Sequence, residues 1–148
     1  MAEAAGLDDV IIESFGTSAG HRGEPADPRA MEALSRRGWR TGTHRARQLD
    51  VAVLRAANLV LCADHANLAA VRRLAGRMHD VGEICLLRRF DPDASSDDDE
   101  VPDPWAGSAR DFDRALELIE RSCGGLIAAL GTAENDGAGE PVVTRRPR

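Results

Sequence analysis

The chain has 148 residues, 43% of them hydrophobic, enough for one sizeable core and too few for two ordinary domains. Its formal charge of -6 opposes steering toward nucleic acid or an anionic membrane, and no apolar run approaches the roughly twenty residues of a membrane span. The start Met1-Ala2-Glu3-Ala4-Ala5-Gly6 has neither a basic flank nor a long apolar segment, so no signal peptide is read and a cytoplasmic location is expected.

Taken in chain order, Val10-Ile11-Ile12-Glu13-Ser14 has the β-branched, apolar character of a covered strand, and Gly16 to Gly23 forms a loop after it. A helix follows, capped by Asp27, with Pro28 in its first turn, Ala30, Met31 and Leu34 on one face and Gly38 at its close. From Asp50, Val51 to Ala56 reads as a short helix leading to a strand at Leu59-Val60-Leu61-Cys62-Ala63. Asp64 ends that strand and caps a helix from about His65 to Ala75, whose Leu68, Val71, Leu74 and Ala75 recur at helical spacing before Gly76. A further strand is expected at Glu83-Ile84-Cys85-Leu86-Leu87.

The acidic run Asp97-Asp98-Asp99-Glu100 reads as a solvated loop, because calcium would need alternating ligands and a shaping glycine. The last helix starts at Ser108, with Asp111 as its capping-box partner, and is expected to end near Leu130, where Gly131 supplies a stop. Phe112, Ala115, Leu116, Ile119, Cys123, Leu126 and Leu130 form its apolar side. Residues 1–130 are therefore read as one α/β domain and 131–148 as a mobile tail. Helices alternating with near-continuous apolar strands predict a three-layer arrangement, a mainly parallel sheet flanked by helices. Three visible strands are few for that number of helices, and a missing central strand accounts for the shortage.

Cys62, Cys85 and Cys123 lie in apolar surroundings and read as buried free thiols rather than a disulfide framework or a zinc site. No cluster of histidines, cysteines and acids supports a metal, and no cofactor is expected.

The segment Glu13-Ser14-Phe15-Gly16-Thr17-Ser18-Ala19-Gly20-His21-Arg22-Gly23-Glu24-Pro25-Ala26-Asp27-Pro28-Arg29 closely resembles the low-molecular-weight protein tyrosine phosphatases. The resemblance continues through His44-Arg45-Ala46-Arg47-Gln48-Leu49, Leu61-Cys62-Ala63-Asp64-His65-Ala66-Asn67-Leu68 and Val101-Pro102-Asp103-Pro104-Trp105-Ala106-Gly107, in the family's order and spacing. What it implies is hydrolysis through a cysteine thiolate that opens a Cys-x5-Arg loop, with an aspartate protonating the leaving phenol. Six positions after the three cysteines stand Leu68, Asp91 and Ala129, so no nucleophile of that pattern is present. Met1 to Ala4 look like the helix just downstream of the loop; the resemblance thus implies an N-terminally truncated fold, its first strand, nucleophile and phosphate arginine preceding Met1.

By the same resemblance Asp103 is the general acid, and an aspartate between two prolines can be held rigidly for that work. Trp105 and His21 are implied to line the substrate, although Ala106 and Gly20 stand where the family often has aromatics. On residues alone, His21 reads as a surface histidine and Trp105 as packing or a surface anchor. Ser14 and His44 match positions that support the phosphate loop, and Asp64 and Asn67 match positions that cap and support the third strand's exit. The implied substrate is a phosphotyrosine protein or small phosphomonoester once the missing N-terminus is restored. Residues 1–148 alone are expected to be inactive and prone to self-association. The alternatives are an arsenate reductase-like enzyme when intact, or a noncatalytic protein-binding remnant.

Overall fold

An apolar strand needs a hydrogen-bonded neighbour, and among the described residues two segments find one in a sheet. The computed structural model describes residues 10–40 and 42–135. In chain order the elements are α1 (Pro28–Arg36), α2 (Val51–Ala56), β1 (Leu59–Cys62), α3 (His65–Ala75), β2 (Glu83–Leu86) and α4 (Ala109–Asn135). A 3-10 turn at Leu87–Phe90 follows β2. Strands β1 and β2 pair in parallel with Leu59 opposite Glu83 and Cys62 opposite Leu86. A parallel pair needs a crossover, which α3 provides. Its Leu68, Val71 and Ala75 bury against Leu54, Cys62 and Leu86 in the main core cluster.

The helix starts follow from short-range chemistry. Asp27 accepts from the Arg29 amide at 2.8 Å, Asp50 from the Val53 amide at 2.9 Å and Asp64 from the Asn67 amide at 2.6 Å, each satisfying a donor that its helix leaves free. After α1 and α3 the chain turns at Gly38 and Gly76, whose positive φ values of 76° and 56° suit glycine.

The predicted strand Val10–Ser14 is not formed. Those residues are non-helical and unpaired within the two-stranded sheet, and Ile11 and Ile12 are 88% and 75% exposed. β-branched composition creates a strand only when a ladder and a covering face are available. Among the described residues, β1 pairs only with β2, and the nearby loop makes a single parallel bridge, Gly16 to Gln48. The described sheet therefore has two strands rather than three.

Helix α4 also departs from expectation. It passes through Gly131 and continues to Asn135, while residues 136–148 of the predicted tail lie outside the described residues. Its most buried positions are Phe112 and Ala115, as predicted, and then Leu118 and Ser122, so that beyond Ala115 the buried face is rotated from the predicted stripe. The rotation follows from its neighbours, because α4 packs on both the 3-10 turn and α1. Ser122 tolerates full burial by donating its hydroxyl to the Leu118 carbonyl at 2.7 Å. Gly125 permits the approach of the turn: a Cβ there would stand 1.8 Å from the Phe90 carbonyl oxygen. At the other contact, Glu120 accepts from the Trp39 indole at 2.6 Å and from Arg37 at 2.5 Å.

Beneath α4 lies a buried ion cluster. Asp91 has no exposed side-chain surface and accepts a fork from Arg121, at 3.0 Å from Nε and 2.8 Å from Nη2. Arg88, also fully buried, places Nε 3.4 Å from Asp91 Oδ2 without hydrogen-bond geometry and shares its terminal nitrogens with Asp98 at 3.3 Å. The predicted solvated acidic run is thus partly fastened: Asp98 meets Arg88, Asp99 lies 3.0 Å from His65 Nε2, and Glu100 accepts the His65 amide at 2.6 Å. No helix among the described residues is long and apolar enough to cross a membrane.

The Arg121 guanidinium beside Asp91 holds its carboxyl below the usual carboxylate range, so this stabilisation is complete above about pH 4 and fades as pH falls through the lowered value. Asp91→Asn removes the anion that Arg121 forks and that lies against buried Arg88, and should cost about 3 kcal/mol, the low end for a broken buried pair because Arg121 is 36% exposed and Arg88 keeps Asp98. Denaturant titration across pH 3–7 checks this: the variant should lose stability at pH 7 and show a shallower acid limb.

Candidate active site

The loop from Asp99 to Gly107 leaves the acidic run and crosses to the carboxyl end of β1, the side of an open parallel sheet where ligands bind. Its first anchor is Val101, which is buried with Ala115 and Leu118 while its amide donates to the Ala63 carbonyl at 2.8 Å. Just beyond that anchor, Pro102 and Asp103 emerge into solvent.

Asp103 sits in a turn closed on itself. Its Oδ1 accepts the Trp105 amide at 3.0 Å, and the Gly107 amide donates to the Pro104 carbonyl at 2.8 Å. The Trp105 indole is 67% exposed, so packing does not hold the turn from above. Below it, Asp111 accepts from both the amide and the hydroxyl of Ser108, at 2.6 and 2.8 Å, and these bonds hold its carboxyl below the usual range. From the side, Arg29 donates to the carbonyls of Trp105 at 2.9 Å and Gly107 at 3.3 Å.

His21 occupies a separate loop, where it lies 2.8 Å from Glu24 and is exposed. The loop is pinned on the 46–49 segment by Gly16 to Arg47, Gly23 to Ala46, Ala46 to Glu24 and Leu49 to Gly16 backbone bonds of 2.8–2.9 Å. Arg47 adds an ion pair to Glu13 at 2.8 Å and stacks 4.3 Å above the Phe15 ring. Ser14 and His44 are exposed. Asp64 and Asn67 bond to each other through Asp64 Oδ1, which also takes the Asn67 side-chain amide at 2.6 Å. The structure thus joins Asp103 to Trp105 through one turn and Asp64 to Asn67 through one cap. Sequence reasoning gave no role to Arg29, although an arginine two residues past a capping aspartate can fork back to it.

None of the cysteines has the surroundings of a nucleophile. All three are free, and burial pushes each thiol above its ordinary range. Among the described residues no group of three or more His, Cys, Asp or Glu is gathered to hold a metal. A concavity of about 400 Å³ lies elsewhere, between α3 and the loop after β2, where Arg72, Arg88, Asp91 and Asp99 line it.

A sequence profile of the family described as "Low molecular weight phosphotyrosine protein phosphatase" matches residues 1–135. The chain is 38% identical over 129 residues to a low molecular weight protein-tyrosine-phosphatase of Streptomyces coelicolor, covering 86% of this chain and 78% of that protein. It is 34% identical to low molecular weight protein-tyrosine phosphatase A of Mycobacterium tuberculosis, covering 82% and 72%. Among solved structures, YfkJ from Bacillus subtilis superposes with a TM-score of 0.79 at 26% identity, covering 90% of this chain and 81% of that one. A protein tyrosine phosphatase from Entamoeba histolytica gives 0.80 at 22% identity, covering 90% and 83%, a likeness of fold.

The raised thiols make a direct prediction. At pH 7.5 a disulfide reagent should modify the native chain slowly at all three cysteines and rapidly in denaturant. One cysteine reacting as fast in the native chain as a low-pKa thiolate would contradict their assignment as structural.

Proposed function

The chain belongs to the low molecular weight phosphotyrosine protein phosphatase family, and from that premise we propose that its residues supply the acid side of a phosphomonoesterase site. The observation that carries this reading is the self-closed, externally clamped turn that presents Asp103 at the carboxyl end of β1. Asp103 protonates the ester oxygen as the phosphorus–oxygen bond breaks and a thiolate sulfur takes the phosphoryl group. It then accepts a proton from the water that attacks the phosphocysteine, releasing inorganic phosphate. Trp105 offers an exposed indole face to an aryl ester, and the exposed His21 is assigned to the substrate lining with it. Ser14 and His44 support the phosphate loop, while Asp64 and Asn67 hold the exit of β1.

The thiolate does not come from Cys62, Cys85 or Cys123, none of which opens a Cys-x5-Arg sequence. We propose that a strand carrying that loop fits between the segment at Ile11 and the free edge of β1, and that residues 1–148 do not turn over phosphomonoesters alone. The exposure of Ile11 and Ile12 and the pairing of β1 with β2 alone among the described residues support this arrangement.

Residues 1–148 should give no hydrolysis of p-nitrophenyl phosphate above a protein-free control. Joining them to a first strand and Cys-x5-Arg loop of the family's pattern should restore it. In that joined chain Asp103→Asn should lower kcat on poor leaving groups by about 10²–10⁴-fold, the range for a lost general acid. Turnover by residues 1–148 themselves, or an active joined chain indifferent to Asp103, would contradict the assignment.

A sheet of two strands among the described residues also favours association. Light scattering after size exclusion should find residues 1–148 in a species larger than a monomer; a monodisperse monomer with slow amide exchange at both 10–15 and 59–62 would contradict the open-edge account.

A further inference from the structure

We infer that Arg29 is a positioning residue for the acid turn, a role that rests on reading Asp103 as the general acid. Arg29 stands in the first turn of α1, and its guanidinium is oriented before it reaches the turn. Asp27 Oδ1 accepts from the Arg29 amide and from Nε, at 2.8 and 3.1 Å, and Oδ2 accepts from Nη2 at 2.8 Å. The capping carboxylate thereby fixes the plane of the fork, and the pair holds Asp27 below the usual carboxylate range.

So fixed, the fork spans the turn. Nη2 donates to the Trp105 carbonyl at 2.9 Å and Nη1 to the Gly107 carbonyl at 3.3 Å, positions two and four residues beyond Asp103. The guanidinium carbon lies 4.7 Å from the centre of the Phe112 ring, which is buried in the first turns of α4. One side chain therefore joins three things: the cap of α1, the two carbonyls of the turn and an aromatic floor. Lysine cannot do this, because its ammonium has no planar fork to satisfy two carbonyls and a carboxylate while stacking.

The consequence for chemistry is distance. An acid must sit within about 2.6–3.2 Å of the leaving oxygen, and a displacement of 1 Å can cost about 10²-fold in rate. Because α1 follows directly from the loop that carries His21, Arg29 also fixes the acid turn relative to that wall.

The test reads the turn itself, with no substrate present. In residues 1–148, NMR solvent exchange at the Trp105 and Gly107 amides reports the two bonds that close the turn. Arg29→Met and Arg29→Lys should both speed that exchange by about tenfold or more, with Leu118 and Ser122 in α4 within about twofold of the parent. Asp27→Asn keeps a capping oxygen but frees the fork, and should give an intermediate acceleration. An unchanged turn in Arg29→Met or Arg29→Lys overturns the inference, as does an acceleration shared equally by Leu118 and Ser122. If Arg29→Met does not fold, Arg29→Lys decides. Failure of the Asp103 assignment would appear only in the hydrolysis assay and would leave this exchange result standing.

Discussion

The carboxylate of Asp91 is the joint on which the described structure turns. It follows the 3-10 turn that ends β2, it has no exposed surface, and it receives Arg121 from α4. A buried anion is tolerable only when it is paired and hydrogen-bonded, so the position of α4 relative to the sheet is set by this contact as much as by apolar packing. Arg88 carries the constraint outward, since it lies against Asp91 and reaches Asp98, at the head of the loop that becomes the acid turn. The loop starts where the buried charges place it.

From that start the acid turn is fastened in sequence. Val101 seats in the small cluster under α4 and bonds the end of β1, the Ser108–Asp111 cap fixes the entry to α4, and Arg29 closes the outer side. The parts contributed by α1, β1 and α4 therefore converge on a segment whose own residues are almost all exposed. Exposure and rigidity are compatible because the restraints are hydrogen bonds to the turn's backbone. The acid role proposed for Asp103 needs this arrangement, an exposed carboxylate on a main chain restrained by hydrogen bonds.

Much of this was legible in the sequence wherever the cause is local. Asp27-Pro28, Asp64 and Ser108-Asp111 announce helix starts within three residues of the groups they satisfy, and Leu59 to Cys62 is apolar enough to be a strand on any reading. Val10 to Ser14 looked equally strand-like and was not, because strand identity depends on a ladder that the segment's own residues do not supply. Nothing in the sequence marks Arg88 for burial, which goes with its place against Asp91 and its bonds to Asp98. The burial of Leu118 and Ser122 depends on where the 3-10 turn and α1 meet α4. For Arg29 the partners lie 76 and 78 residues away, beyond any spacing rule. Family likeness points to Asp103 and Trp105, but the means of holding them is visible only in three dimensions.

The central claim is that the turn carrying Asp103 is built by α1, β1 and α4 and is ordered by their restraints. Backbone ¹⁵N relaxation on residues 1–148 tests this most directly. The account predicts order parameters near the rigid-backbone value of about 0.85 from Val101 through Gly107, matching those of α4, whereas values below about 0.6 across Asp103 to Ala106 would contradict it.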